Sequence, residues 1–461
     1  MSIEAAKVCI KHAQADLEQA LIELETIPPE PLAIVSTPAE FDEALAAAVP
    51  GDTIICATSL QYASPLTIRA STITIRSEVE GIGRMTADTP APWFSDQVTL
   101  EGHDITLVGL QLTNSRLVDV LVLEGAGAVI DRCRILGDPT QGTKRGVNMN
   151  APDVTITRCH VEYCFGPYPG NDTQALFAAD SPGPFLIEDN FLSGGSETIM
   201  FGGDSPSSDA NIPANITIRN NTITKRTEWQ TQPVGVKNTF ELKCAKRVLI
   251  ENNQFSQSWG GHGQDGYLLM LTPRNQYGST PYCTVEDVEI RNNHFACAAA
   301  PICMMGDDNN YPSQRLSRIN IHHNRFEALD PKQYTGSNKM ILIQRGPVDV
   351  TINANEFLGV NLTSQVYFDG QPQCVNLVVT SNKWPHTTYG IFGSNCSTGN
   401  DANGLPRAWN KYVQSGTLSN NTEWPTTRSA WQRACEWWLR LIAPFSTSPT
   451  RGIMPPKTRR R

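Results

Sequence analysis

The sequence predicts an all-β solenoid in which successive coils of chain stack in parallel. Three observations carry that prediction. A short frame, Ile-x-x-Asn-x-apolar, recurs along the chain and is plainest at 249–255 (LIENNQF). Its Asn falls at Asn190, Asn221, Asn253, Asn293, Asn324, Asn355 and Asn382, at intervals of 31, 32, 40, 31, 31 and 27 residues. Upstream the frame continues with Cys in the Asn slot, at Cys133 (IDRCRI) and Cys159 (ITRCHV). A period of about 20 to 50 residues held over many copies marks a solenoid.

Stacking explains the Asn. In a parallel coil, equivalent side chains line up about 4.8 Å apart. A buried Asn can then pass amide hydrogen bonds to the Asn above and below. Its short side chain is also expected to tolerate the left-handed backbone of a tight bend. The apolar residues alternate around it with the period of a strand and point into the core. Cys is readily buried and fits the same inward slot.

Composition narrows the class. A chain of 461 residues would ordinarily divide into several domains, but a solenoid can be one long domain. Apolar residues make up 40%, enough for a continuous core. The net charge is −9, and removing the five positive charges of 451–461 leaves a body at −14. Such a body repels a phosphate backbone, so no nucleic-acid partner is expected. The 12 cysteines include no Cys-x-x-Cys, and the closest pair is Cys159 and Cys164. They read as buried thiols rather than disulfides or zinc ligands. No apolar run approaches the ~20 residues of a membrane span, so no membrane partner is expected. Glu4, Lys7 and Lys11 interrupt any secretory signal, so the expected route outward is a virion or signal-independent export.

Taken in order, the chain divides into four parts. Residues 1–31 hold a heptad helix and linker: Ile3, Ile10, Leu17 and Leu24 alternate with Ala6, Ala13, Ala20 and Ile27 in an a/d seam, closed by Pro28 and Pro29. That seam either joins copies of the chain into a homo-oligomer, a trimer among the options, or packs as a cap. Residues 32–396 are the coil, opening with a short helix in 38–55 whose Phe41, Leu45 and Val49 would cover the first open end. Residues 397–443 form a C-terminal cap region, in which 424–442 reads as an amphipathic helix carrying Trp431, Trp437, Trp438 and Leu441. Residues 444–461 form a disordered basic tail.

A helix followed by PGDTI (50–54), then strands carrying ITIRNN (216–221) and LIENNQF, resembles the right-handed parallel β-helix proteins of the pectate-lyase superfamily over roughly 38–395. The resemblance implies the fold. It does not choose an activity, because the superfamily hosts lyases, hydrolases, epimerases and non-catalytic phage tailspikes. The polygalacturonase order fails: His262-Gly263 precedes Asp307-Asp308, and no Arg-x-Lys follows them. The V-W-I-D-H strand of pectate lyases and the D-P-H-E motif of alginate epimerases are absent.

Chemistry is expected on the strand that follows each Asn turn. These strands align as 198–204, 239–243, 267–275, 301–308, 340–345 and 366–370. With Phe201, Leu242, Leu271, Met305, Ile343 and Phe368 inward, Glu241, Lys243, Thr272, Gln344, Tyr367 and Asp369 face out. Strand ends add Asp204, Arg274, Asp307, Asp308 and Arg345, giving a polar ridge of mixed charge that Trp229, Trp259 and His262 would wall into a groove. Carboxylates and amides bind sugar hydroxyls, and aromatic faces stack on sugar rings. The predicted function is therefore glycan or polysaccharide binding, tailspike-like or cell-surface. The alternative is a polysaccharide lyase or glycoside hydrolase using Glu241, Lys243, Arg274, Asp307 and Asp308, with Asp204, Trp229, Trp259, His262, Gln344, Arg345, Tyr367 and Asp369 binding the ligand. A purely structural spacer is the third reading. No cofactor is expected, and a calcium ion at Asp307-Asp308 is the one ion this set could take.

Overall fold

The computed structural model describes residues 34–79, 89–170 and 172–424. The heptad helix of 2–27 with its linker, the amphipathic segment beyond Trp424 and the basic tail lie outside them.

Each coil contributes three short strands, as in Ala245–Glu251, Gln254–Ser258 and Tyr267–Leu271. Strands of one kind stack on the same strand of the next coil, always in parallel. The result is three long sheets of 14, 13 and 12 strands, here called sheets 1, 2 and 3 in the order the chain visits them. This is a right-handed parallel β-helix, as expected. Most strands bury every second residue, and their inward Ile, Val, Leu and Phe join one core running the length of the coil.

The Asn ladder sits at the bend between sheets 1 and 2. Asn253 Oδ1 accepts the backbone N–H and the Nδ2 of Asn221, both at 2.9 Å, and Asn253 donates in the same way to Asn293. The cysteines extend it upstream: Cys159 N–H donates to Asn190 Oδ1 at 2.7 Å, and Cys133 N–H to Cys159 Sγ at 3.4 Å. Downstream the ladder takes one step more, to Asn421, which accepts from Asn382 N–H at 2.9 Å. One expectation is corrected. The left-handed backbone belongs to the residue before each ladder position, as at Asn220, Asn252, Asn292 and His323 with φ between 54° and 58°. The ladder Asn keeps a negative φ because its side chain must point inward along the stack.

Beside the ladder, Phe255, Phe295, Phe326 and Phe357 stack at centroid spacings of 4.6, 4.5 and 4.6 Å. These spacings match the rise between coils, so the aromatic stack and the amide ladder enforce the same register. At the N-terminal end the helix Pro38–Ala47 starts at a capping box of Thr37 and Glu40 and closes the core with Phe41. The Phe41 ring meets Tyr62 and Phe94 edge-on at 5.5 and 5.4 Å. Leu45 packs only partly against the core, and Val49, expected in the same cap, is 58% exposed, because it sits past the helix end at the Pro50-Gly51 turn. Near the other end the helix Arg407–Tyr412 lays Tyr412 flat against Phe368 at 5.8 Å. The ten described cysteines are free, and nine are buried.

Candidate functional site

Sheet 3 presents its outer face between two rows of connections, those arriving from sheet 2 and those leaving for sheet 1. The strand register fixes which side chains share that face. The inward row runs Phe201, Leu242, Leu271, Met304, Ile343 and Phe368. Met305, expected inward, pairs instead with Gln344 on the outer side. The central outer row is Met200, Glu241, Met270, Cys303, Leu342 and Tyr367. This corrects the expected polar ridge: most of the row is apolar, and Tyr267, Ala300, Cys303 and Leu342 form a small cluster of their own outside the main core.

Glu241 and Thr272 do lie on the outer face, but both are only 3% exposed. Glu241 is covered by Lys243, whose Nζ is 3.6 Å away, and accepts from Asn238 Nδ2 at 3.2 Å. One row over lies a group the sequence reading did not single out. Glu197 is fully buried, accepts from Gln174 Nε2 at 2.8 Å and has Lys237 Nζ at 3.8 Å from its other oxygen. Burial, and then the charge of Glu241, raise its carboxyl to about 7. Beneath it Lys225 donates to the carbonyls of Gly194, Gly195 and Ser196, and burial lowers its ammonium to about 7. A Lys that shares a loop with the exposed Thr227 and Glu228 carries no sequence sign of burial.

The open part of the site is at the ends of the sheet 3 strands, on the connections toward sheet 1. The segments 274–276 and 308–311 enclose a cleft of about 260 Å³ lined by Arg274, Asn275, Gln276, Asp308, Asn309, Asn310 and Tyr311. Asp308 organises it. Its carboxylate accepts Arg274 Nη1 at 2.9 Å, Asn275 N–H at 2.9 Å and Asn310 N–H at 3.0 Å. Arg274 also donates to Asn309 Oδ1. Asn275 ties the two segments together through Pro312 O at 2.8 Å. Tyr311, part of the lining, is left 47% exposed, and Tyr277, next in chain after Gln276, is 68% exposed. Arg274 and Asp308 are among the residues expected from the sequence; Asn309, Asn310 and Tyr311 are not. The parallel between RNQY (274–277) and DNNY (308–311), one coil apart, is the signal that would have found them.

The remaining predicted residues are placed as follows. Asp307 pairs with Arg345 and Asp308 with Arg274, so the two carboxylates turn to different partners. Among the described residues no group of three His, Cys, Asp or Glu is placed to hold a metal ion. Gln344 and Asp369 are strand neighbours, half-buried. Tyr367 is half-buried too, under Lys339 Nζ at 4.3 Å from its ring centre. Asp204 is exposed and caps its own turn through Ser205 N–H at 2.8 Å. Trp229 and Trp259 do not wall a groove. They are 3% and 7% exposed, packed with Phe165, Val234 and Tyr334 where sheet 2 turns to sheet 3, because those connections fold back and bury their own large rings. His262 is exposed at that same turn, stacked on Tyr168 at 3.7 Å, at the opposite end of the sheet 3 strands from the Tyr311 cleft.

Residues 96–295 match the family described as right handed beta helix region. No curated protein matches the sequence. The chain is similar to the Dettilon tailspike protein at 12% identity and a TM-score of 0.48, over 84% of this chain and 64% of that one, so it spans less than two thirds of that tailspike. A PL6 alginate lyase in complex with trisaccharide gives 15% identity and a TM-score of 0.43, over 85% and 93% of the two chains. A mutant tailspike protein of E. coli bacteriophage HK620 in complex with pentasaccharide gives 9% identity and a TM-score of 0.42, over 74% and 65%. The three parallel sheets and the matched region 96–295 make the chain a right-handed parallel β-helix.

Proposed function

We propose that this protein binds a glycan, in the manner of a tailspike or cell-surface β-helix, at the cleft of 274–276 and 308–311. One observation carries the reading. The exposed ring of Tyr311 lines a recess of amides around a fixed Arg274–Asp308 pair. Such a lining offers donors and acceptors to hydroxyls and a flat face to a sugar ring. At about 260 Å³ the cleft is a little below the range of enclosed small-molecule pockets, as suits a surface that seats one stretch of a longer chain. The charged groups are engaged with each other, Arg274 with Asp308, Lys243 with Glu241 and Asp307 with Arg345. That supports binding over the lyase or hydrolase reading, which needs a group free to take or give a proton.

The test is a panel of bacterial and plant polysaccharides. Binding is expected, and Tyr311→Ala should weaken it by roughly 2- to 12-fold, the worth of one aromatic stacking contact. New reducing ends, or absorbance from unsaturated uronates, would defeat the non-catalytic reading. No binding to any panel member would leave the spacer. We propose also that copies assemble through 2–27, because an a/d seam of three and a half heptads is marginal as a lone helix. Sedimentation of the full chain against one starting at Leu32 should show assembly lost; a monomer in both refutes it.

A further inference from the structure

We infer that the glycan taken at this face is anionic, held along a strip of three cations, Lys243, Arg274 and Arg345, at the ends of the sheet 3 strands. This rests on the glycan reading above and names the class of chain. The whole protein stands at −9, so composition alone would not gather exposed cations in one place. Lys243 follows the strand Phe240–Leu242, Arg274 follows Tyr267–Leu271 and Arg345 follows Lys339–Gln344. With Ala300–Met305 these strands form a run of four successive coils. At about 4.8 Å per coil the strip extends roughly 14 Å along the stack, with Tyr311 inside it. Its first two members are tied together by Arg274 N–H, which donates to the carbonyl of Lys243 at 2.8 Å.

Each cation of the strip stands over a carboxylate, and in every pair the carboxylate is the deeper member. Side-chain exposure is 16% for Lys243 against 4% for Glu241, 29% for Arg274 against 2% for Asp308, and 37% for Arg345 against 22% for Asp307. An incoming group therefore meets N–H donors and positive charge first. Coulomb attraction falls with distance, so the nearer cation outweighs the deeper anion although each pair is neutral as a whole. The buried acids also aim the cations. Asp308 and Asn309 both engage Nη1 of Arg274, which leaves its Nη2 and Nε without a partner among the described residues.

Nearby acids set the limits of the strip. The connections 272–284 and 306–316 hold no acid besides Asp307 and Asp308. Asp204 is exposed one coil before Lys243, and Asp369 is half-buried one coil after Arg345. At the other end of the strands Asp172 is 47% exposed and reaches Lys237 at 2.6 Å, so that cation is covered. A neutral glycan would use the amides and the Tyr311 ring and gain little from the cations. A chain bearing carboxylate or sulfate groups uses the same amides and adds charge-assisted hydrogen bonds, which are shorter and stronger than neutral ones. The planar guanidinium of Arg274 offers its free N–H groups as an edge that suits a carboxylate.

The experiment is an array of matched polysaccharides, each polyuronate beside its methyl ester and each sulfated chain beside its desulfated form, against the wild type, Arg345→Gln and Tyr311→Ala. Acidic members should bind at least about tenfold more tightly than their neutral partners, and the difference should shrink at ~0.5 M salt. Arg345→Gln should weaken acidic members roughly fivefold and leave neutral ones unchanged, and Arg345→Lys should restore most of that. Its melting temperature should hold, because Asp307 is exposed enough to stay hydrated when its partner is gone. Carboxylated against sulfated members then tell which acid group the strip prefers. If neutral members bind as tightly as acidic ones while Tyr311→Ala is impaired, this inference falls and the glycan reading stands. An acidic preference that ignores salt, or that Arg345→Gln leaves intact, also overturns it. If the wild type binds no member, both fall.

Discussion

Replacing Asn293 by Leu deletes one rung of the ladder while its neighbours keep their places. Asn293 Oδ1 accepts the backbone N–H of Asn253 at 2.9 Å and its Nδ2 at 3.0 Å. Asn293 Nδ2 donates to the carbonyls of Ile250 and Arg291, both at 2.9 Å, and to Asn324 Oδ1 at 3.0 Å. After the substitution Asn253 Nδ2 still reaches Ile218 O and Glu251 O, and Asn324 Oδ1 still receives the N–H of residue 293. The group stranded is the buried N–H of Asn253, at about 1–3 kcal/mol. The carbonyl of Ile250 adds a smaller loss, and the apolar surface of Leu offsets part of the total, so a net loss of about 2 kcal/mol is expected. Asn293→Cys should lose less, because at Cys159 a thiol in this slot already accepts the neighbouring N–H. Urea unfolding followed by far-UV circular dichroism measures both, provided the slope against denaturant is unchanged. A loss below about 0.5 kcal/mol for Leu, or a Cys variant as damaged as Leu, would refute the argument that the ladder acts through that N–H.

The buried pair at Glu197 and Lys225 predicts a pH dependence. With its carboxyl raised from 4.5 to about 7, the folded chain holds a proton at Glu197 that the unfolded chain releases, so this contribution to stability falls as pH rises through that window. Lys225 is lowered from 10.5 to about 7, so the unfolded chain holds the extra proton above neutrality and stability rises with pH there. Urea midpoints of the wild type should therefore pass through a minimum near pH 7, and Glu197→Gln should flatten the acid side; a midpoint that drops equally from pH 5 to 7 in both proteins contradicts this. Lys225→Met should flatten the alkaline side while lowering stability throughout, since the carbonyls of Gly194, Gly195 and Ser196 lose their shared donor. An unchanged alkaline limb would place the titration elsewhere.

The sequence by itself determined the coil, its register at the ladder and the residues available to each face. Those are local or periodic properties: an Ile-x-x-Asn-x-Phe frame repeats wherever the same bend and core slot repeat, and a single chain displays every copy. Alternation also named the inward partners from Phe201 to Phe368, failing only at Met304 and Met305, where two equally apolar neighbours give no sign of which begins the inward phase. In the Asn pairs 220–221, 252–253 and 292–293 the repeat picks the ladder member, because the copies at Asn190 and Asn324 hold a single Asn, but it does not show that the left-handed bend falls on the residue before it. Tertiary structure decided what alternation cannot reach. Period two tells which way Glu241 points, but its burial depends on Lys243, Asn238 and the connections around them. Likewise Trp229 and Trp259 are buried by loops from several coils, and the Tyr311 cleft exists because segments some 33 residues apart lie side by side once the coils stack. Coverage and convergence are sums over distant parts of the chain, so they appear only when the coils are in place.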